Sequence, residues 1–198
     1  LVRYRDYLSS DPASSSYFYR GDGEFYQAGE LLVQKDLAAT LKRISKKGRD
    51  GFYTGKTADL LVAQMRRNGG IISYQDLLNY RVIERQPVCG DYRSNRVCAM
   101  PPPSSGGVHL IQMLNILEGW DLNALGHNSA AYLHRLVESM RRAYADRSLH
   151  LGDPDFYAVP AEQLMDKRYA ATLREQINPI KASRSKDIKP VPAWVITE

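Results

Sequence analysis

Met100-Pro101-Pro102-Pro103-Ser104-Ser105-Gly106-Gly107-Val108-His109-Leu110-Ile111-Gln112-Met113-Leu114-Asn115-Ile116-Leu117 is the stretch on which the fold turns. Three consecutive prolines cannot donate to a sheet ladder, so a strand arriving from the N-terminal side has to stop near Met100. Two serines and two glycines follow, and then a run with apolar residues on most sides: Val108, Leu110, Ile111, Met113, Leu114, Ile116 and Leu117. The pattern reads as a strand, a turn and then a helix central to the core, which Gly119 can end.

Upstream, Val82 to Gly90 and Arg96 to Met100 are rich enough in Val and Ile to be strands, with Tyr92-Arg93-Ser94-Asn95 as the polar turn between them. With Arg93 and Ser94 as a two-residue loop, Tyr92 pairs with Asn95, Asp91 with Arg96, Gly90 with Val97, and Cys89 with Cys98. That last pair is a non-hydrogen-bonded one, with Cα atoms about 4.5 Å apart, a separation a disulfide can bridge. Two reduced, half-buried thiols filling one face of the sheet are the other reading, and both stay open.

Before the hairpin, Leu37, Ala38, Leu41 and Ile44 share one face of a helix expected over residues 35 to 47, with Gly48 as its stop. A second helix over 57 to 67 groups Leu60, Leu61 and Met65 and ends at Asn68-Gly69-Gly70. Ser73 and Asp76 have capping-box spacing for a short helix to Tyr80. Residues 1 to 34 show no sustained period and read as an irregular lead-in, with a short extended piece near Leu31 to Val33.

Beyond the central helix, Ser129 caps a helix expected to reach His150, whose Leu133, Leu136, Val137, Met140 and Tyr144 have the spacing of a buried stripe. Gly152-Asp153-Pro154-Asp155-Phe156 is a turn, and a last helix is expected from Pro160 to Ile177. The chain then becomes polar and extended. The organisation expected is a lead-in over 1–34, a core of helices and a hairpin over 35–178, and an extended tail over 179–198. Helices around a small sheet make this an α+β chain, or a piece of a layered α/β/β/α fold.

Of the 198 residues, 43% are hydrophobic and 25% charged, within the range of folded domains. The 27 basic and 22 acidic residues are spread along the chain, so the net charge of +5 marks no single patch. The densest basic cluster, Lys42, Arg43, Lys46, Lys47 and Arg49, sits at a helix end without interleaved aromatic residues, and no nucleic-acid partner is expected. No apolar run approaches the roughly 18 residues of a membrane span. The chain opens with Leu1-Val2-Arg3-Tyr4, without Met and without a signal-peptide core, and so reads as cut or processed.

Several residues invite chemistry. The helix opening at Ser104, Ser105, Gly106 and Gly107 has the backbone to bind an anion or oxyanion, or simply to cap and pack a helix. No Lys follows the glycines, which excludes a Walker loop. Ser105 and His109 stand four residues apart, but outside a Gly-x-Ser-x-Gly elbow and with no third member in view. His109, His127, His134 and His150 lack metal-ligand spacing, and Asp153 and Asp155 read as an Asx-type turn more naturally than as cation ligands. These residues alone name no function.

A set of ordered segments does: Leu32-Val33-Gln34-Lys35-Asp36-Leu37-Ala38, Asn68-Gly69-Gly70, Gly90-Asp91-Tyr92-Arg93, Met100 through Gly107, Ala143-Tyr144-Ala145-Asp146-Arg147 and Leu151-Gly152-Asp153-Pro154-Asp155-Phe156. From about Gly29 onward the chain resembles the C-terminal part of the large subunit of gamma-glutamyltranspeptidases. The resemblance implies an N-terminal-nucleophile hydrolase whose precursor cleaves itself into large and small subunits. The small subunit's new N-terminal threonine then attacks the gamma-glutamyl amide of glutathione, and water, an amino acid or a peptide resolves the acyl-enzyme.

Carried over residue by residue, the resemblance assigns this chain no catalytic or substrate-binding residue. The Thr-Thr-His start, the paired serines and the paired glycines that contact substrate all belong to the small subunit. Thr197 is followed by Glu198 and does not match the nucleophile. Pro101, Pro102, Pro103, Ser104, Ser105, Gly106 and Gly107 are a structural signature of the large subunit. No cofactor or metal is implied, the partner is the small subunit of the same precursor, and bacterial members imply a periplasmic or extracellular home. The chain alone is expected to be inactive. A non-catalytic anion- or peptide-binding module derived from the fold is the alternative.

Overall fold

In the computed structural model, which describes residues 2–190, the contacts divide the chain between Ile83 and Glu84 into two compact units. The division falls inside the continuous core expected over 35–178. The tail residues Thr197 and Glu198 lie outside the described residues.

In the first unit a 3-10 turn at Val2–Tyr4 leads into α1 (Arg5–Ser9) and α2 (Pro12–Phe18), so much of the expected irregular lead-in is helical. Asp11 accepts the Ser14 N–H at 2.7 Å and Pro12 occupies the first turn, a start signal strong enough to fix a short helix without an apolar period. Leu31 to Val33 form no strand, there being no partner strand among the described residues of this unit. Then come α3 (Lys35–Lys47), α4 (Asp50–Tyr53), α5 (Gly55–Arg67) and α6 (Tyr74–Asn79). Ala58, Val62 and Leu77 form the small core. The Ser73–Asp76 capping box is present, with the Ser73 N–H donating to Asp76 Oδ2 at 2.8 Å.

Two of the five clustered basic residues are structural. Arg43 donates to the Thr57 hydroxyl at 2.9 Å, tying α3 to α5, and Arg49 donates to the Leu78 and Tyr80 carbonyls at 2.8 and 2.7 Å, closing the end of α6. Both guanidinium groups thus tie elements of this unit together.

The second unit is built round a hairpin, β1 (Val88–Tyr92) and β2 (Asn95–Ala99), in the register the two-residue loop dictates, with Cys89 opposite Cys98. Arg93 and Ser94 both take positive φ, the loop twist that matches paired strands. Arg93 is held there by its N–H to Glu118 at 2.8 Å and its guanidinium to the Trp120 carbonyl at 2.9 Å. The first strand begins at Val88 and not at Val82, because residues 82–87 have no strand to pair with among those described.

Next come α7 (Gly106–Leu117), α8 (Leu122–Leu125), α9 (Ala130–His150), α10 (Ala161–Leu164) and α11 (Lys167–Glu175), with a 3-10 turn at Ser185–Asp187. The single helix expected over 160–177 is broken in two. Asp166 caps α11 by accepting the Arg168 N–H at 2.6 Å, and a capping Asp takes extended backbone that cannot continue α10.

α7 is the central element, packing on the hairpin, α9 and α11, with Val108 and Ile116 fully buried. Ile116, Ala170, Leu173 and Ile177 form the core between α7 and α11. Arg174 of α11 donates to the Ile116 and Asn115 carbonyls at 2.9 and 3.0 Å, satisfying acceptors at the open end of α7.

α9 corrects the sequence expectation most sharply. Its buried residues are Glu138, Ser139, Arg142, Ala143, Asp146 and His150, whereas of the stripe expected to be buried Leu133, Val137, Met140 and Tyr144 are exposed and Leu136 is half-buried. Spacing locates the apolar face correctly but cannot say which face this segment buries.

Candidate functional site

The Pro101–Gly107 signature is a joint between the hairpin and α7. The Met100 carbonyl accepts the Gly107 N–H at 3.1 Å, and the Pro101 carbonyl accepts the Ser104 N–H at 3.1 Å. These bonds fold the prolines into a turn that brings α7 back against the strand it left. Gly107 is required by that approach: a Cβ there would collide with the Met100 carbonyl oxygen and the Val88 side chain. Gly90 of β1 is the matching gap, since a Cβ there would come within 2.6 Å of Ile111.

The two glycine N–H groups considered as an anion site are used internally. Gly106 N–H donates to Ser104 Oγ at 3.3 Å, and Gly107 N–H goes to Met100. Ser105, the residue before the helix, makes no side-chain cap; its hydroxyl accepts from Arg147 of α9 at 3.0 Å. The expected competition between capping and anion binding thus ends in packing, with Ser104 supplying a local bond and Ser105 a tie between helices.

Behind the joint lies a buried polar cluster that sequence reasoning did not isolate. Asp146, on the inward face of α9, accepts from Gln112 Nε2 at 2.6 Å and from the Tyr169 hydroxyl at 2.7 Å, both on the same carboxylate oxygen. Three helices, α7, α9 and α11, therefore meet on one carboxylate. Burial, reinforced by the hydrogen bond to Asp146 and its charge, pushes the Tyr169 hydroxyl far above the ordinary phenol range, so it remains a donor.

About two turns toward the N-terminus of α9, Glu138 is 1% exposed and holds Arg142 at 2.8 Å, while the Ser183 N–H donates to its other oxygen at 3.0 Å. Burial alone would raise this carboxyl, but the bonds from Ser183 and Arg142 outweigh it and hold it below its ordinary value. Both members of this ion pair lie on α9; the Ser183 N–H on Glu138 and the Arg142 bond to the Gln176 carbonyl at 2.9 Å tie the end of α11 and the segment after it to α9.

The histidines form no common site. Burial lowers the pKa of His109, whose ring stands edge-on to Tyr144 and whose Nε2 meets no hydrogen-bond partner among the described residues. His134 Nε2 lies 2.7 Å from the Asn178 carbonyl, and His150 is buried. Ser105 is engaged by Arg147, so nothing in its bonding marks a Ser–His nucleophile. Asp153 accepts the Asp155 N–H at 3.0 Å in an Asx turn, and Arg85 bridges Asp155 at 2.7 Å and Asp153 at 3.7 Å. One arginine thus bridges the two carboxylates. Among the described residues no group of three or more His, Cys, Asp or Glu side chains is placed to hold a metal ion.

Cys89 and Cys98 are joined across the hairpin. The bond lies on a two-stranded sheet with no further strand among the described residues to hold it. Asp146 and Arg147 belong to a segment whose sequence signal is identity alone: a carboxylate in an amphipathic helix looks like a solvated face until the tertiary fold turns it inward.

The gamma-glutamyltranspeptidase family model matches residues 1–195. The chain is 52% identical over 183 residues to a glutathione hydrolase proenzyme of Pseudomonas sp. strain A14, covering 92% of this chain and 32% of that protein. It is also 45% identical over 170 residues to the Acylase ACY 1 proenzyme of Pseudomonas sp. strain SE83, covering 86% of this chain and 30% of that one. The crystal structure of Helicobacter pylori gamma-glutamyltranspeptidase superposes with a TM-score of 0.90 at 45% identity, covering 96% of this chain and 54% of that one. The chain therefore spans about a third of the length of these curated relatives. With the joint, the buried carboxylate and a family match running through both units, the chain belongs to the gamma-glutamyltranspeptidase family.

Proposed function

We propose that this chain is a large-subunit segment of a gamma-glutamyltransferase or glutathione hydrolase, an N-terminal-nucleophile hydrolase of α/β/β/α fold. The complete enzyme would cleave the gamma-glutamyl amide of glutathione and pass the acyl group to water, an amino acid or a peptide. The observation that carries this reading is the close identity with a glutathione hydrolase proenzyme along nearly all of the chain. The chemistry would reside in a threonine at the start of a small subunit, released by self-cleavage of the precursor and activated by its own α-amino group. The role of this segment is to build the helix layer that supports that site.

A periplasmic or extracellular home fits the joined Cys89 and Cys98, since such bonds persist in oxidising compartments. No helix among the described residues is long and apolar enough to cross a membrane.

The test is expression of the full-length precursor, with denaturing electrophoresis, intact mass and turnover of a gamma-glutamyl anilide. A second polypeptide beginning Thr-Thr-His, together with turnover, is the expected result. Purified residues 1–198 are expected to show none. An unprocessed precursor, or turnover by residues 1–198 that survives repurification, would overturn the reading.

Acylase activity is the second reading, favoured by the 45% identity to an acylase proenzyme over the same segment. Hydrolysis of an N-acyl amide that lacks the gamma-glutamyl group, without hydrolysis of the gamma-glutamyl anilide, would select it. The anion- or peptide-binding module is disfavoured by the internal use of the Gly106 and Gly107 N–H groups.

A further inference from the structure

The hairpin has two unlike faces. Val88 and Gly90 of β1 face α7: a Cβ on Gly107 would collide with the Val88 side chain, and one on Gly90 with Ile111. Strand alternation therefore turns Cys89 and Asp91 to the other face, and their partners Cys98 and Arg96 with them. Burial agrees, since Asp91, Arg96 and Cys98 are exposed and Cys89 is half-buried. The disulfide thus lies on the side away from the central helix, with Cys98 as its more open half.

The two cysteines also differ in the charges beside them. Arg96 stands two positions from Cys98 on the same face of β2, and Asp91 two positions from Cys89 on the same face of β1. Thiol–disulfide exchange proceeds by attack of a thiolate, at a rate set by access and by which sulfur is approached. A cation beside Cys98 favours the arriving anion there, and exposure points the same way. An anion beside Cys89 disfavours the thiolate in which that residue would attack back and reclose the bond. The same anion slows the departure of Cys89, so these charges decide where an adduct sits and how long it lasts rather than making it form fast.

We infer that Cys98 is a thiolation site for glutathione, the open half of a bond that the thiol of the enzyme's own substrate breaks. The inference rests on the proposed function for the identity of that thiol. The glutathione thiolate attacks Cys98 Sγ, the bond to Cys89 breaks, and its electron pair leaves on Cys89 Sγ, which takes up a proton. A new bond joins Cys98 to the tripeptide. One sulfur–sulfur bond is exchanged for another, so no further oxidant or reductant enters.

The experiment incubates the full-length protein, kept free of reductant, with glutathione at neutral pH. The reaction is quenched with N-ethylmaleimide and read by peptide mass spectrometry. Glutathione on Cys98 and maleimide on Cys89 of the same molecules is expected, with about tenfold less adduct on Cys89. An adduct that has lost its gamma-glutamyl group counts equally, because the cysteine makes the bond. An intact disulfide, adduct shared evenly between the two cysteines, or maleimide on both without adduct would overturn the inference, as would labelling of either thiol before glutathione is added. Gamma-glutamyl anilide turnover is measured on the same preparation. Adduct on Cys98 without turnover sinks the proposed function alone; turnover without the adduct sinks the thiolation site alone.

Discussion

Gly106 and Gly107 are neighbours in the signature, yet the structure asks different things of them. A Cβ at Gly107 would meet the Met100 carbonyl and Val88, backbone and core that have nowhere to move. At Gly106 it would meet only Ser104 Oγ, at 3.4 Å. Gly107→Ala should cost about 1–3 kcal/mol in thermal or denaturant unfolding of the full-length protein, whereas Gly106→Ala should stay within about 0.5 kcal/mol. Equal losses at both positions would refute the joint as the reason for the second glycine. At Asp146, Tyr169→Phe removes one donor and leaves Gln112 on the carboxylate, at a cost of about 1.5–3 kcal/mol. Asp146→Ala should cost more than Tyr169→Phe, because it strands two donors as well as opening space. Unfolding curves in which Asp146→Ala is the milder change would show that the carboxylate is not the hub.

At the level of elements, the hairpin and α9 stand at opposite ends of what patterning can foretell. The loop length fixes every strand pair, so Cys89 facing Cys98 follows from counting outward from Arg93 and Ser94. Alkylation of the native source protein without reductant should label neither thiol, and mass spectrometry showing both labelled would establish two free thiols in place of the bond. For α9, the 4-3-4 spacing marks an apolar stripe, but burial requires a partner, and within this chain the inward partners are Gln112, Tyr169, the Gln176 carbonyl and the Ser183 backbone. α3 behaves similarly: Leu37 and Leu41 share the expected face, and both are exposed. The broken helix over 160–177 and the helix opened by Asp11-Pro12 were missed for a shared reason, that a capping side chain decides helix ends locally and outranks a weak apolar period.

Across the whole molecule, the pH response follows from carboxylates and one imidazole, His109, held away from their ordinary pKa values. The Glu138 carboxyl is lowered on folding, so the folded state binds its proton less readily than the unfolded chain does. Its contribution is complete above its ordinary value of 4.5 and is lost as pH falls through the lower folded value. His109 is also lowered, which disfavours the imidazolium in the folded state, so stability begins to fall as pH drops below its ordinary value of 6.5. Both groups act in the same sense, and acid should weaken the protein in successive windows. Glu138→Gln should lower stability at neutral pH and flatten the loss below about pH 4.5, read as the melting temperature of the full-length protein across pH. An unchanged acid limb in that variant would show that the buried ion pair does not set it.

The features legible from the amino acids are local or shared by descent: helix spans where a period and a cap agree, the hairpin register, the turn at Asp153, and membership of a family through motifs in order. Each depends on residues near one another along the chain or on identity, so no tertiary knowledge is needed. Only the tertiary structure decided that Asp146 unites three helices, that the N–H groups of Gly106 and Gly107 are spent on packing, and that α9 turns its charges inward. The partners of the buried charges are distant along the chain, Gln112–Asp146 and Arg142–Gln176 each 34 positions apart and Asp146–Tyr169 23. A polar side chain reads as solvated until such partners are known, because hydrogen bonding to a distant group is what makes its burial affordable.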